Sequence, residues 1–318
     1  MHRCIQLAKN GRLNAQPNPM VGAVIVADGR IIGEGYHVRC GEGHAEVNAF
    51  AAVKPQYEHL LPQATLYVSL EPCSHYGKTP PCAELIVRKG VKKVVVGCID
   101  PFAQVQGRGI ERLRQAGIEV EVGVCEEECR ALNKVFFTFH KYRRPYVTLK
   151  WAASADGFIA AVDAEGRQQP TQISNVYTQM LCHKLRAEHQ AILVGHNTWT
   201  TDHPSLTTRA WYGRNPQRVL LTHHRESVVA DPDLIMVEGS IGEVLSTLYR
   251  RGIQSLLVEG GRNVLQQFID CGLWDEAWAE EGEKVLEKGT KAPVIDCRET
   301  ENITFFGRTI RHYVNGRQ

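Results

Sequence analysis

The chain has 318 residues, 43% hydrophobic and 23% charged, with a net charge of +2. That balance fits a soluble globular protein long enough for two domains and gives no basis for a nucleic-acid or membrane surface. No apolar run approaches the roughly 20 residues that span a bilayer, and Met1 to Arg12 lacks the apolar core of a signal peptide. Ten scattered cysteines then read as reduced thiols of a cytoplasmic enzyme.

In chain order, Val21 to Val26 is a strand-type run, Asp28-Gly29 a hairpin turn and Arg30 to Tyr36 the returning strand. His44 to Val53 has helical composition. Ala64 to Leu70 reads as a strand, and Pro81 to Lys89 as a helix ended by Gly90. Lys93 to Ile99 is a buried-type strand, Gly109 to Ala116 a helix closed by Gly117, and Ile118 to Val124 another strand. A long helix is expected from Glu126 to Tyr142. Its basic end, Lys141-Tyr142-Arg143-Arg144, reads as solvated, and Pro145 disfavours helix before it. The domain boundary is placed there, giving 1–144 and 145–318. Cys125 and Cys129, one turn apart in a glutamate-rich segment, offer a second metal site as an alternative to small residues on a helix, the reading favoured because no His or further Cys follows at metal-ligand spacing.

From Tyr146 a second alternation begins. Tyr146 to Ala153, Ala191 to Gly195, Arg218 to Thr222, Asp233 to Val237 and Ser255 to Glu259 read as strands. Val176 to Glu188, Ile241 to Arg251 and Asn263 to Cys271 read as helices. Both halves are therefore expected to be α/β, with sheets covered by helices.

Four residues carry the chemistry of the first half. His44, Cys73 and Cys82 are three ligands for Zn²⁺, which leave the fourth tetrahedral position open, as a catalytic site needs. Glu46, two residues after His44, is then placed to shuttle protons to and from water. A closed zinc knuckle would need a fourth ligand, and His75, next but one to Cys73, is sterically awkward. His-x-Glu followed by two Pro-Cys pairs is the signature of zinc nucleobase deaminases, usually with Cys-x-x-Cys. Here eight residues separate the cysteines.

The run Glu71-Pro72-Cys73-Ser74-His75-Tyr76-Gly77-Lys78-Thr79-Pro80-Pro81-Cys82, with Pro17-Asn18-Pro19-Met20-Val21-Gly22 and His44-Ala45-Glu46-Val47, resembles the bifunctional riboflavin biosynthesis deaminase/reductase family. The resemblance implies a cytidine-deaminase-like three-layer domain over 1–144. It implies that His44, Cys73 and Cys82 hold zinc, that Glu46 moves protons, that Asn18 bonds the pyrimidine, and that His75 and Lys78 hold a ribose phosphate. A lysine on a short loop can bind phosphate as a point charge. Gln16 departs from the family, which more often has histidine there.

In the second half, Val258-Glu259-Gly260-Gly261-Arg262-Asn263 is a strand–Gly–helix junction able to cradle a phosphate, or simply a tight turn; it is not Gly-x-Gly-x-x-Gly. Lys150 with Ser154-Ala155-Asp156-Gly157, then Leu185-Arg186-Ala187, Thr198 to Arg209 and Val258 to Gly261, resemble the family's reductase domain, which has a dihydrofolate-reductase-like fold. By that resemblance Ala153, Thr198, Asp202, Thr222, Gly261, Arg262 and Asn263 contact NADPH. Arg186, Leu206, Arg209 and Glu259 contact the phosphorylated substrate. Departures at Ala155, Gln168 to Ile173 and Glu280 to Lys284 leave a deaminase with a weak or inactive reductase domain as the alternative for this half. The resemblance further implies a small-molecule phosphorylated pyrimidine as substrate and a homo-oligomer. A non-catalytic zinc-binding protein is the alternative from another class.

Overall fold

In the computed structural model, which describes every residue except 75, 77–79, 103–105, 298 and 317–318, the chain divides into Met1–Tyr142 and Arg143–Gln318.

The first unit is built on five strands. These are β1 (Gly22–Ala27), β2 (Arg30–Tyr36), β3 (Thr65–Leu70), β4 (Lys93–Cys98) and β5 (Glu119–Val122), in the order β2-β1-β3-β4-β5. Asp28 and Gly29 both have positive φ, +49° and +71°, so the expected hairpin turn joins β1 to β2. The β3, β4 and β5 ladders are parallel. Among the described residues, six α-helices accompany the sheet: α1 (His2–Ala8), α2 (Ala45–Ala51), α3 (Cys82–Lys89), α4 (Arg108–Gln115), α5 (Glu126–Leu132) and α6 (Lys134–Tyr142). Side chains alternate across a strand. Ile25, Leu66, Val68, Val94 and Val96 therefore share a core with α2, α3 and α4, while Val24 and Tyr67 pack with Cys4 and Leu7 of α1. Three layers result. Gly35 lets α2 lie directly on β2: a Cβ there would fall 2.5 Å from the Ala49 backbone nitrogen.

The long helix expected over Glu126 to Tyr142 is broken at Asn133, which leaves helical geometry at φ −113°, ψ 27°. Its amide explains the break. Asn133 Oδ1 accepts from the Met20 N–H and Nδ2 donates to the Met20 carbonyl, both at 2.8 Å. Side-chain bonding to a distant backbone here replaces helix continuity.

The second unit carries an eight-stranded sheet in the order β11-β10-β9-β12-β6-β13-β16-β15. Its strands are β6 (Tyr146–Ala153), β9 (Ala191–Gly195), β10 (Gln217–Leu221), β11 (Leu234–Val237), β12 (Ser255–Val258), β13 (Glu276–Glu281), β15 (Glu301–Phe305) and β16 (Arg308–Val314). It is parallel from β11 to β13 and antiparallel beyond. A small sheet of β7 (Phe158–Val162), β8 (Gln168–Gln169) and β14 (Gly289–Lys291) stands apart. The helices are α7 (Val176–Glu188), α8 (His196–Asp202), α9 (Ile241–Arg250) and α10 (Arg262–Asp270). Asn175 caps α7 by accepting from Tyr177 and Thr178, and Ser240 with Glu243 forms a capping box on α9. Leu245, Leu248, Leu265 and Phe268 of α9 and α10 fill one face of the sheet, and Leu185, Trp199 and Leu206 cover part of the other.

Arg144 departs from its expected solvated place. It is buried, and both guanidinium Nη atoms bind Asp275, Nη1 to Oδ2 at 2.7 Å and Nη2 to Oδ1 at 2.9 Å. A buried arginine needs such a two-point partner, which lies 131 residues away in the chain.

Candidate active sites

His44 is the N-cap of α2, Cys82 opens α3, and Cys73 follows β3. Asn48 fastens the segment ahead of His44 by donating to the Tyr36 carbonyl at 2.8 Å and the Gly43 carbonyl at 3.2 Å. His44 Nδ1 lies 3.5 Å from Cys73 Sγ and 3.3 Å from Cys82 Sγ, and the three ligand atoms lie within 4.8 Å of one another. Zn–S bonds of about 2.3 Å and a Zn–N bond of about 2.0 Å at tetrahedral angles give an S···N edge of about 3.5 Å. The donor set therefore fits Zn²⁺ in kind and in spacing.

The site stabilises one thiolate. Cys73 is held low by hydrogen bonds from the Cys82 thiol, His44 and the Cys82 N–H, against its own burial. The same coupling, with burial, pushes Cys82 up. Glu46, in the first turn of α2, is 3% exposed, and burial pushes its carboxyl up to about 7. Asn18 Nδ2 lies 3.1 Å from His37 Nε2, while His37 Nδ1 lies 3.1 Å from the Gly43 carbonyl. The carbonyl needs a donor, so Nδ1 carries the proton and Nε2 accepts from Asn18. Burial holds His37 below its ordinary value. His75 and Lys78 lie outside the described residues.

Two further groups carry no motif of their own. His37 packs edge-on against His44 with ring centroids 5.4 Å apart. Asp100 follows parallel strand β4; burial pushes its carboxyl up to about 6, reinforced by the charges of Glu71 and Cys73. An acidic residue just past a parallel strand's carboxyl end was the available signal. Cys129 is buried in the core as a small apolar residue. Cys125 instead approaches His2, at 3.9 Å, with Glu128 beside it.

In the second unit the expected residues gather beyond the carboxyl ends of parallel strands β6, β9, β10 and β12, where open α/β sheets place ligands. Arg186 Nε donates to Glu259 Oε1 at 2.9 Å and Nη2 to Oε2 at 2.5 Å. Its Nη1 donates to the Thr207 carbonyl at 3.1 Å, which brings the Leu206–Arg209 segment alongside. Cys182 adds a thiol contact to Glu259 Oε1 at 3.2 Å. Leu206 is buried, and exposed Arg209 donates to Thr207 Oγ1 at 3.2 Å. Gly261, at φ +63°, is the N-cap of α10, and a Cβ there would lie 3.2 Å from Thr198 Oγ1. Arg262 Nε is buried without a hydrogen-bond partner among the described residues. A bare glycine turn, a helix N-terminus and an unsatisfied guanidinium fit the phosphate of a dinucleotide. Asn263 follows in the first turn of α10. Asp202 ends α8, its carboxyl pushed up by burial. Thr222 is buried with its hydroxyl 2.9 Å from His196 Nδ1. The Ala153 carbonyl accepts from the Gly282 N–H at 2.7 Å.

Comparison with known proteins agrees with this geometry. Residues 1–98 match the cytidine and deoxycytidylate deaminase zinc-binding region, and residues 145–279 match the RibD C-terminal domain. The chain is 37% identical to the riboflavin biosynthesis protein RibD of Aquifex aeolicus (strain VF5), over 95% of this chain and 91% of that protein.

The chain belongs to the RibD family.

A second RibD, from Bacillus amyloliquefaciens, is 38% identical over 87% of this chain and 81% of its own. Among solved structures, the diaminohydroxyphosphoribosylaminopyrimidine deaminase/5-amino-6-(5-phosphoribosylamino)uracil reductase of Thermotoga maritima superposes with a TM-score of 0.87 at 35% identity, covering 99% of this chain and 97% of that one. Acinetobacter baumannii RibD gives 0.85 at 31% identity, covering 98% and 97%. The RibD fold is thus present throughout: a cytidine-deaminase-like first domain and a dihydrofolate-reductase-like second. The cofactors of this family pair are Zn²⁺ and NADPH. No helix among the described residues is long and apolar enough to cross a membrane.

Proposed function

We propose that this riboflavin biosynthesis enzyme hydrolytically deaminates 2,5-diamino-6-ribosylamino-4(3H)-pyrimidinone 5′-phosphate in residues 1–144. Residues 145–318 then reduce the ribosyl group of the product to ribityl. The observation that carries the reading is the set His44, Cys73 and Cys82, at tetrahedral-edge spacing beside the buried carboxyl of Glu46.

His44, Cys73 and Cys82 would hold Zn²⁺, which supplies a Lewis acid able to bring the pKa of water from 15.7 to about 7. Glu46 takes a proton from the attacking water and delivers it to the departing amino group, so that water enters and ammonia leaves. A carboxyl already raised toward neutrality by burial suits that two-way transfer. Asn18, its Nδ2 committed to His37, presents Oδ1 to the pyrimidine. His75 and Lys78 receive the phosphate.

In the second domain NADPH supplies hydride. Gly261, Arg262 and Asn263 receive its phosphates at the start of α10, with Thr198 beside Gly261, and Asp202, Thr222 and Ala153 make its other contacts. Leu206 and Arg209 face the substrate. Arg186 and Glu259 act there as one neutral, two-point pair rather than as a free cation and a free anion. The protein's work in this half is positioning. Near-neutral charge and scattered cysteines favour a cytoplasmic enzyme of small molecules, with no nucleic-acid partner; a homo-oligomer follows from the family resemblance.

The test measures ammonia release from the diaminopyrimidine, then NADPH oxidation with the deaminated product as substrate. Ammonia without NADPH oxidation would remove the second half of the reading.

A further inference from the structure

Among the described residues, two groups of metal-ligating side chains gather closely enough to hold an ion. One is the His44, Cys73 and Cys82 set. The other is His2, Cys125 and Glu128, whose donor atoms also lie within 4.8 Å of one another. Cys125 Sγ is 3.9 Å from His2 Nε2. None of these three residues has a part in the chemistry above.

The fold builds this second group from two helices. His2 is the first residue of α1, Cys125 is the N-cap of α5, and Glu128 lies in the first turn of α5. Helix positions three apart share one face, so Cys125 and Glu128 are neighbours. Gly123 at φ +95° and Cys125 at φ +55° make the corner that leads β5 into α5. Glu126, in the same turn, is engaged elsewhere: Arg130 Nε donates to its Oε1 at 2.8 Å.

Both helices are fixed beneath the group. Ile5 of α1 and Cys129 of α5 are buried in one cluster with Leu70 and Cys98, and Met1 and Cys125 pack against it. The Cys129 N–H also donates to the Cys125 carbonyl at 3.0 Å. The donors therefore stand on a packed base, and side-chain rotation alone brings them together. Zn–S bonds of about 2.3 Å and Zn–N bonds of about 2.0 Å at tetrahedral angles call for an S···N edge of about 3.5 Å. Cys125 and His2 close to that from 3.9 Å. A thiolate beside an imidazole selects Zn²⁺ over Mg²⁺ and Ca²⁺, which take oxygen donors.

We propose that His2, Cys125 and Glu128 form a second Zn²⁺ site, which staples the start of α1 to the start of α5. Three protein donors leave the fourth position to water, so this ion is held less tightly than by a closed set of four. The inference does not depend on the deaminase reading.

The test is equilibrium dialysis of the full chain against Zn²⁺ or Co²⁺, with Co²⁺–thiolate absorption, ammonia release and amide exchange followed on the same protein. The native protein binds two equivalents of Zn²⁺, the second with a Kd of about 1 µM or tighter. Filling that second site slows amide exchange in α1 and α5. Cys125→Ser binds one equivalent, releases ammonia at the native rate, and shows no slowing of exchange. His2→Ala does the same, and decides the matter alone should Cys125→Ser not fold. The double variant Cys73→Ser/Cys82→Ser keeps one equivalent with Co²⁺–thiolate absorption, and loses both when Cys125→Ser is added. A second equivalent that survives Cys125→Ser and His2→Ala, or that binds only near about 1 mM Zn²⁺, would overturn the site. So would a native protein whose single equivalent disappears with Cys73 and Cys82.

Discussion

Arg186 and Glu259 meet through two short, nearly parallel contacts, with side chains only 13% and 9% exposed. Each charge is buried because the other is there. Breaking such a pair from one side leaves an uncompensated buried ion, whereas the intact pair adds little net stability.

Arg186→Ala should therefore destabilise the second domain by about 3–5 kcal/mol and abolish NADPH oxidation. The pH dependence has a definite sign. Burial pushes the Glu259 carboxyl up, but the bonds and charge of Arg186, with Lys150, outweigh it and hold the carboxyl below its ordinary value. The stabilisation is present above the unfolded value, about 4.3, and is lost as pH falls through the depressed one. Thermal unfolding followed from neutral to acid pH checks this: the native protein loses stability on acidification, and Arg186→Ala lacks that limb.

Glu46→Gln keeps the shape and the hydrogen-bonding reach of the side chain while removing its proton transfer. Ammonia release should fall by about 10²–10⁴-fold, the usual worth of a positioned acid–base group, with zinc still bound. Metal analysis alongside the rate separates the two effects; full activity would refute the assigned role.

Removing metal with a chelator should abolish ammonia release and leave NADPH oxidation of the deaminated substrate intact, because the His44, Cys73 and Cys82 ligands all lie in the first domain. Readdition of Zn²⁺ should restore the first reaction. Loss of both activities together would place the metal's role elsewhere.

Lys78→Ala should raise the deaminase KM for the phosphorylated substrate by about tenfold or more, at the strength of one charge-assisted contact. The unphosphorylated nucleoside should show no such difference between native and variant proteins. An equal response to both would rule out a phosphate contact.

The grouping of His44, Cys73 and Cys82 beside Glu46 and the strand–helix alternation were legible because each rests on local spacing. Residue types two or eight positions apart announce a zinc site, and strand-to-helix junctions announce where it sits. What escaped was decided by partners far along the chain. The Asn133 break depends on Met20, the burial of Arg144 on Asp275, and the commitment of Arg186 on Glu259. His37 was missed because its importance lies in packing against His44, not in any motif. Strands β13, β15 and β16 were missed because sequences such as Glu276-Ala277-Trp278-Ala279-Glu280-Glu281 are too polar to read as strand. Their polarity is accommodated by cross-element bonds, such as Thr178 and Ser174 donating to Glu280 at 2.7 and 2.6 Å.

The glycine contact beneath α2 has a mechanical meaning. Where a helix rests on a sheet through interdigitated side chains, a rotamer change can let it slide by fractions of an ångström. At Gly35 the helix rests on bare backbone, which has no rotamers to change. Helix α2, with His44 at its N-cap and Glu46 in its first turn, is in effect bolted to its base at Asn48 and Ala49. Its alignment is insensitive to drift in the surrounding apolar side chains, yet a single added methyl group would throw it out of true.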